Sequence, residues 1–256
     1  MTPRLPAAFF RRPLAHRALH DVSDGRPENS RAAIRAAIGA GYGIEIDLQL
    51  SRDGRAMVFH DYDLGRMTGI GGAVRRRDTV ELTALPLLGG DEGIPTFAEV
   101  LALVAGRIPL LVELKDQTGR MGVTDGRLER AVAHDLQGYD GPVAVMSFNP
   151  NSVAMLADLL PNIPRGLVTE YFPKEDWPLL RDETRRHLRA IPDYNRAQAS
   201  FISHDVTDLT APRVAALKGQ GADVLCWTVR SPAQEAGARR IAQNITFEGY
   251  LAEFPA

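Results

Sequence analysis

Apolar residues fall along this chain in two alternating kinds of run. Short, nearly continuous runs (GIEIDLQL at 43–50, PLLVELK at 109–115, PVAVMSF at 142–148, RGLVTE at 165–170, ASFISHDV at 199–206, DVLCWTV at 223–229 and ITFEGYLA at 245–252) have the length and branched content of buried strands. Between them lie longer segments whose apolar positions recur at helical spacing, as in PTFAEVLALVAG, GRLERAVAHDL, NPNSVAMLADLL, the stretch from Trp177 to Arg189, APRVAALKGQG and SPAQEAGARRIAQN. Upstream, a short strand-like piece from Leu14 to Arg17 leads to a helix over Ile34, Ala37 and Ile38, capped by Asn29 or Ser30 and stopped at Gly39 or Gly41. Counting that piece, eight strands alternate with helices, and the pattern predicts an α/β fold, a closed (β/α)8 TIM-type barrel, with an open doubly wound sheet as the alternative.

The regularity breaks once. From Asp61 to Gly93 the chain is glycine-rich and irregular and carries a basic run at Arg75, Arg76 and Arg77. We read it as a small insertion after the second strand, its arginines forming a solvated face or a substrate-side loop. No linker or composition break interrupts the remainder, so residues 1–256 are expected to form one domain.

Composition adds mainly exclusions. A formal net charge of -2 over 256 residues gives no electrostatic reason to expect nucleic acid or anionic membrane as a partner. Cys226 is the only cysteine, so no intrachain disulfide is possible. The apolar patch within MTPRLPAAFFRRP is too short for a signal sequence, and no run approaches the roughly 20 apolar residues of a membrane span. These features predict a cytoplasmic protein.

The chemistry is concentrated between Gly43 and His60. Glu45 and Asp47 are two residues apart in a strand and therefore share a face. Two buried like charges need a positive partner, and a hard divalent cation with oxygen ligands suits them. After a turn at 51–54, a second apolar run from Ala56 to Phe59 brings in His60, whose imidazole can serve as a general acid or base.

Active sites of such barrels lie at the carboxyl ends of the strands. That rule gathers His16 and Arg17 from the first strand, Glu45 and Asp47 from the second, Glu113 and Lys115 from the third and Trp227 from the seventh. Ser147, Phe148, Glu170, His204 and Asp205 also end strands. Glu45, Asp47 and Glu113 can hold one Mg2+ or Ca2+, Arg17 and Lys115 can bind phosphoryl oxygens, and two histidines across a phosphorus atom can serve as base and acid. This set suits phosphodiester cleavage, and no P-loop, nucleophile elbow or cysteine cluster competes with it. We expect His20 and His204 to be satisfied or solvated, His134 and His187 to be on the surface, and Cys226 to face away from Trp227.

Taken in order, the HR at 16–17, PEN at 27–29, EIDLQLSRDG, VFHD at 58–61, IPTFAEVL, VELK and WTV resemble the glycerophosphodiester phosphodiesterases from about Leu14 onward. The resemblance implies a TIM-type barrel that hydrolyses glycerophosphodiesters to sn-glycerol 3-phosphate and an alcohol with a divalent metal. It also implies a catalytic pair His16 and His60, metal ligands Glu45, Asp47 and Glu113, and phosphate contacts Arg17 and Lys115. Trp227 matches the aromatic residue lining the glycerol end of the pocket, and Glu28 of the PEN motif supports the metal or Arg17. By analogy, His60 is the acid. Three departures stand out: Ala18 replaces the glycine of HRG, Arg230 follows WTV where asparagine is usual, and Ala252 and Glu253 stand where we place the usual Thr-Asp pair. They bear on specificity, and leave a lysophospholipase D-like or other larger phosphodiester hydrolase as the alternative. A non-catalytic phospholigand-binding module would usually have lost a histidine or a carboxylate; all are present here.

Overall fold

A computed structural model describes residues 2–255. Nine strands are found among them: β1 (Leu14–Ala15), β2 (Gly43–Leu50), β3 (Ala56–Val58), β4 (Leu110–Leu114), β5 (Val143–Ser147), β6 (Arg165–Thr169), β7 (Phe201–Asp205), β8 (Asp223–Val229) and β9 (Asn244–Phe247). Strands β1, β2 and β4–β9 are parallel, and β1 pairs with both β2 and β9, so the eight close into a barrel. The remaining strand, β3, returns antiparallel along the end of β2, with Leu48 opposite Val58.

Strand alternation divides the apolar residues into two layers. Ile44, Ile46 and Leu48 pack outward with Val112, Ile202, Val224 and Ile245 against the helices. The intervening positions turn inward, where Leu111, Ala144, Met146, Val168, Phe201 and Leu225 fill the lower lumen. Full burial of each such side chain contributes roughly 1.5–3 kcal/mol before conformational entropy is subtracted. The same alternation forces Glu45, Asp47 and Glu113 inward, because their strand neighbours are the outward apolar set. Gly166 leaves room for Phe201, whose ring would lie 2.3 Å from an added Cβ.

The amino-terminal apolar patch closes the bottom of the barrel. Phe9, on a single helical turn (Ala8–Arg11), is fully buried with Leu5 and Leu14 in the lumen cluster. Asn244 Nδ2 ties the turn down by donating to the carbonyls of Phe9 (2.5 Å) and Arg12 (2.7 Å). The site cavity lies at the opposite end, where the strands end.

The helices start where their caps predict. Ser30 Oγ accepts from Ala33 N ahead of Arg31–Ala40, and Gly41 ends that helix at φ +79°. Thr96 and Glu99 form a reciprocal capping box before Phe97–Val104. The segment expected to be helical from Trp177 is so only over Asp182–Ala190. Pro178 has no amide hydrogen to give, and Asp182 and Glu183 supply first-turn acids suited to a later start. Residues 177–181 instead form a loop, with Trp177 packed against Phe148. The first strand is likewise shorter than expected, since His16 and Arg17 already belong to the loop above it.

Residues 61–93 carry two short helices, Gly65–Thr68 and Thr79–Thr83, around a separate apolar cluster that includes Phe59, Leu64, Met67, Leu82 and Ile94. No helix among the described residues is long and apolar enough to cross a membrane.

Candidate active site

A cavity of about 310 Å³ opens at the carboxyl ends of the strands, lined by His16, Arg17, Glu45, His60, Glu113, Lys115 and Trp227, with Phe148 and Arg230. Residues drawn from six separate strand ends thus meet in one place.

Oxygen atoms of Glu45, Asp47 and Glu113 lie within 4.8 Å of one another, and all three residues are buried. Their counter-charges are unequal. Lys115 Nζ is 2.7 Å from both Asp47 Oδ1 and Glu113 Oε1. Despite burial, the ammonium holds Asp47 far below the ordinary carboxylate range, whereas burial dominates at Glu113 and raises it. Glu45 receives only the backbone N–H of Arg17 at 3.1 Å. Burial, reinforced by the charges of Asp47 and Glu113, pushes its carboxyl well above the usual range. The cluster therefore has oxygen donors but too little positive charge, and a hard dication fits that donor set.

Arg17 and Lys115, expected to meet phosphate, both also serve the acidic residues. Arg17 donates from Nη1 to Glu28 Oε1 (3.0 Å), and its Nε lies 3.6 Å from Asp47 Oδ2, buried and without a hydrogen-bond partner. That donor is held at the cavity wall. The loop carrying it is unusual, with Arg17 at φ +52° and Ala18 at φ +65°. Ala18 N donates to Glu45 O at 3.1 Å, which locks the left-handed turn against β2. Glycine's usual place in this motif has a direct reason: a side chain is disfavoured at that φ.

Each histidine is backed by a carboxylate. His16 Nδ1 is 2.8 Å from Glu248 Oε2. The hydrogen bond to His16 outweighs burial and brings Glu248 down to about 2, so the carboxylate can only accept; Nδ1 must donate, leaving Nε2 free. Burial in turn lowers the His16 pKa, partly offset by Glu248. His60 Nδ1 is 2.7 Å from Asp61 Oδ1. Hydrogen bonds from His60 and Arg66 overcome burial to keep Asp61 strongly ionised. Arg66, from the insertion, donates Nε to Asp61 Oδ2 (2.6 Å) and a two-pronged pair to Glu28 (2.7 and 2.8 Å). Glu28 thereby links Arg17 to the His60 side of the cavity.

Several of these residues were not singled out by sequence reasoning. Asn29 Nδ2 donates to Asp47 Oδ2 at 2.9 Å, so the PEN motif supports the acidic cluster through Asn29 as well as Arg17 through Glu28. Asp61 was visible as the last letter of VFHD. Glu248 follows the final strand directly and is the acid that faces the mouth; Ala252, where we placed the motif's pair, is buried in the helix layer and Glu253 is exposed. Phe148 meets Trp227 edge-on, with centroids 5.6 Å apart, and completes an aromatic wall. Trp227 itself donates Nε1 to Ser203 O at 3.1 Å.

The other histidines lie apart. His204 is buried in the helix layer between Thr169 Oγ1 (2.7 Å) and Asp208 (3.3 Å), and His134 and His187 are exposed. His20 is 3.8 Å from Glu248 at the rim. Cys226 packs outward, opposite in direction to Trp227, and burial raises its thiol pKa to about 12. Arg230 reaches Glu248 Oε2 at 3.1 Å and so shares the carboxylate that orients His16.

A sequence model of the glycerophosphoryl diester phosphodiesterase family matches residues 16–245. The chain belongs to this family. Among its relatives, a Bacillus subtilis (strain 168) protein provisionally named a glycerophosphodiester phosphodiesterase is 27% identical over 252 residues, covering 94% of each chain. The glycerophosphodiester phosphodiesterase of Caldanaerobacter subterraneus subsp. tengcongensis is 30% identical over 172 residues, covering 64% of this chain and 69% of its own. A solved family structure, the Oleispira antarctica phosphodiesterase in complex with the product sn-glycerol-3-phosphate, superposes with a TM-score of 0.72 at 25% identity, covering 96% of this chain and 92% of that one.

Proposed function

We propose that this chain hydrolyses glycerophosphodiesters to sn-glycerol 3-phosphate and an alcohol, with one divalent cation, Mg2+ or Ca2+, and His16 and His60 as base and acid. The observation that carries the reading is the pair of carboxylate-backed histidines lining the cavity that also holds the Glu45, Asp47 and Glu113 cluster. A bound cation would neutralise phosphoryl charge as the phosphorus is attacked. Arg17, whose Nε lacks a partner, and Lys115 would hold the non-bridging oxygens. His16, with Nε2 unprotonated, would take the proton of the attacking oxygen, either water or a neighbouring glycerol hydroxyl. His60 would deliver a proton to the departing alkoxide as the phosphorus–oxygen bond breaks. Trp227 and Phe148 would face the glycerol carbon chain.

Glycerophosphodiesters are phospholipids without their acyl chains, which places the reaction in lipid and glycerol metabolism. A single buried cysteine suits a reducing, cytoplasmic setting. A single barrel domain, with 61–93 as an insertion that supplies Arg66, is supported by the one closed sheet.

The test is release of glycerol 3-phosphate from glycerophosphocholine and glycerophosphoethanolamine with the wild type and with Glu45→Gln and His60→Ala proteins. Activity lost to chelator and restored by Mg2+ or Ca2+, with each variant reduced by roughly 10²–10⁴-fold, supports the scheme. Full activity in either variant sinks it. The same cations should raise Tm in the wild type, by the equivalent of about 2.7 kcal/mol at a hundredfold excess over Kd, and should not in a Glu45→Gln, Glu113→Gln double variant.

A further inference from the structure

A second cavity, of about 450 Å³, lies beside the first at the same end of the barrel. Its volume is within the roughly 300–1,000 Å³ of small-molecule sites. Three elements build it: the insertion through Tyr62, the loop after β4 through Met121, and the loop before Asp182 through Trp177, Leu179 and Leu180. It adjoins the candidate active site across a wall, with no lining residue in common. Trp177 packs on Phe148 with ring centroids 5.1 Å apart, Asp116 directly follows Lys115, and Gln49 Nε2 donates to the carbonyl of His60 at 3.0 Å. The shared wall is thus the His60 and Lys115 side of the site, with Trp227 beyond Phe148 on the other side.

The polar groups along this cavity are already engaged with one another. Asp116 Oδ1 accepts from Asn149 Nδ2 (2.8 Å) and Thr118 N (3.1 Å), and Oδ2 accepts from Met121 N (2.9 Å). Gln49 Oε1 accepts from Gln117 Nε2, which also donates to Lys115 O, both at 2.9 Å. Tyr62 gives its hydroxyl proton to Asp116 O at 2.8 Å. Only Arg75 and Asp176, of opposite sign and solvent-exposed, bring charge to the rim. What remains for a ligand is apolar and aromatic surface, including Leu179 at 82% exposure and Tyr62 at 53%. A polar headgroup such as ethanolamine would find little to bond here.

We propose that this second cavity receives the leaving alcohol of the substrate, and that this alcohol carries an apolar body, an alkyl chain or an aromatic ring. The inference rests on the functional reading above, in which glycerol lies toward Trp227 and the leaving oxygen toward His60. With glycerol held at Trp227, a substituent leaving past His60 and Lys115 enters the space between Tyr62 and Trp177. The insertion then sets leaving-group preference.

The test uses glycerol 3-phosphate esters of ethanol, butanol, hexanol and octanol below their micelle concentrations, against glycerophosphoethanolamine. In the wild type, kcat/KM should rise by about two- to fourfold per added methylene until the cavity is filled. Leu179→Asp and Tyr62→Ser, both at exposed positions, should flatten that slope. Independently of turnover, 6-bromohexanol should saturably quench the fluorescence of Trp227→Phe protein, in which Trp177 is the remaining tryptophan, and should do so weakly once Leu179→Asp is added. A flat series with glycerophosphoethanolamine turned over would overturn this inference alone. So would a rise unchanged by either variant, or a gain appearing only when the chain is esterified to the glycerol. No turnover of any ester would end the functional reading, and with it the inference.

Discussion

Nδ1 of His16 lies 2.8 Å from Oε2 of Glu248, although the two residues are 232 positions apart in the chain. One belongs to the loop after the first strand and the other to the loop after the last, and they meet because β1 pairs with β9 to close the barrel. The contact fixes the imidazole tautomer. Glu248→Ala is expected to lower kcat by about 10- to 100-fold with little change in KM, as loss of an orienting carboxylate does elsewhere. Because Glu248 raises the His16 pKa against the lowering by burial, its removal should move the acid limb of the kcat/KM profile to lower pH. An unmoved limb with a simple loss of amplitude would point to a structural role only.

Asp61 stands behind His60 as Glu248 stands behind His16, and Arg66 holds Asp61 and Glu28 together. Asp61→Asn should cost activity on the order of 10–100-fold. Arg66→Ala should cost less, because Arg66 is half exposed and acts only through its partners. The loss in Arg66→Ala should shrink but persist when Asp61 is already asparagine, because the pair to Glu28 remains, and a double-mutant cycle on kcat would show that partial coupling.

Ala18 sits at φ +65° and is almost fully buried. Relief of roughly 1–2 kcal/mol of left-handed strain in Ala18→Gly is offset by the larger unfolded-state entropy of glycine, about 0.4–1 kcal/mol, and by the lost methyl contacts. The net change in urea midpoint should be small. Ala18→Val, with a branched side chain in the same turn, should lose more than about 2 kcal/mol and weaken activity through the displaced Arg17. Equal stability of the two variants would contradict the conformational account.

Glu170, at the end of β6, accepts from Trp177 Nε1, and burial pushes its carboxyl up to about 7. A carboxyl whose folded pKa exceeds its unfolded value of about 4.5 binds its proton more tightly in the native state. Its contribution to stability is therefore complete below pH 4.5 and declines as pH rises toward 7. Comparing urea midpoints at pH 4.5 and 7.5, the decline should be smaller in Glu170→Gln. Trp177 fluorescence in a Trp227→Phe background should titrate over the same interval.

Much of the site was legible because strand geometry is local. The spacing of Glu45 and Asp47 within an apolar run is enough to turn both side chains to one face, and the same holds for Glu113 and Lys115. The ordered motifs from His16 to Trp227 gave the strand ends. Harder to read were residues whose meaning depends on where loops cross. Lys115 was expected at phosphate and is also the counter-ion of Asp47 and Glu113. Residues from Trp177 to Arg181 looked helical in composition and form a loop beside Phe148. Glu248 lay outside the motif positions matched near the carboxyl terminus, since the last strand is short and ends at Phe247.

By itself, then, the chain's alternation of strand and helix periods determined eight parallel strands joined by helices, with closure into a barrel favoured over an open sheet, and residue parity within each strand determined which carboxylates share a face. Those are nearest-neighbour properties, set by backbone geometry over a few residues. Only the closed structure decided which carboxylate stands behind which histidine, how Arg66 joins the insertion to the site, and that an apolar cavity adjoins His60. These depend on strand stagger, barrel closure and the packing of three loops distant in sequence, for which no local pattern of residues carries a signal.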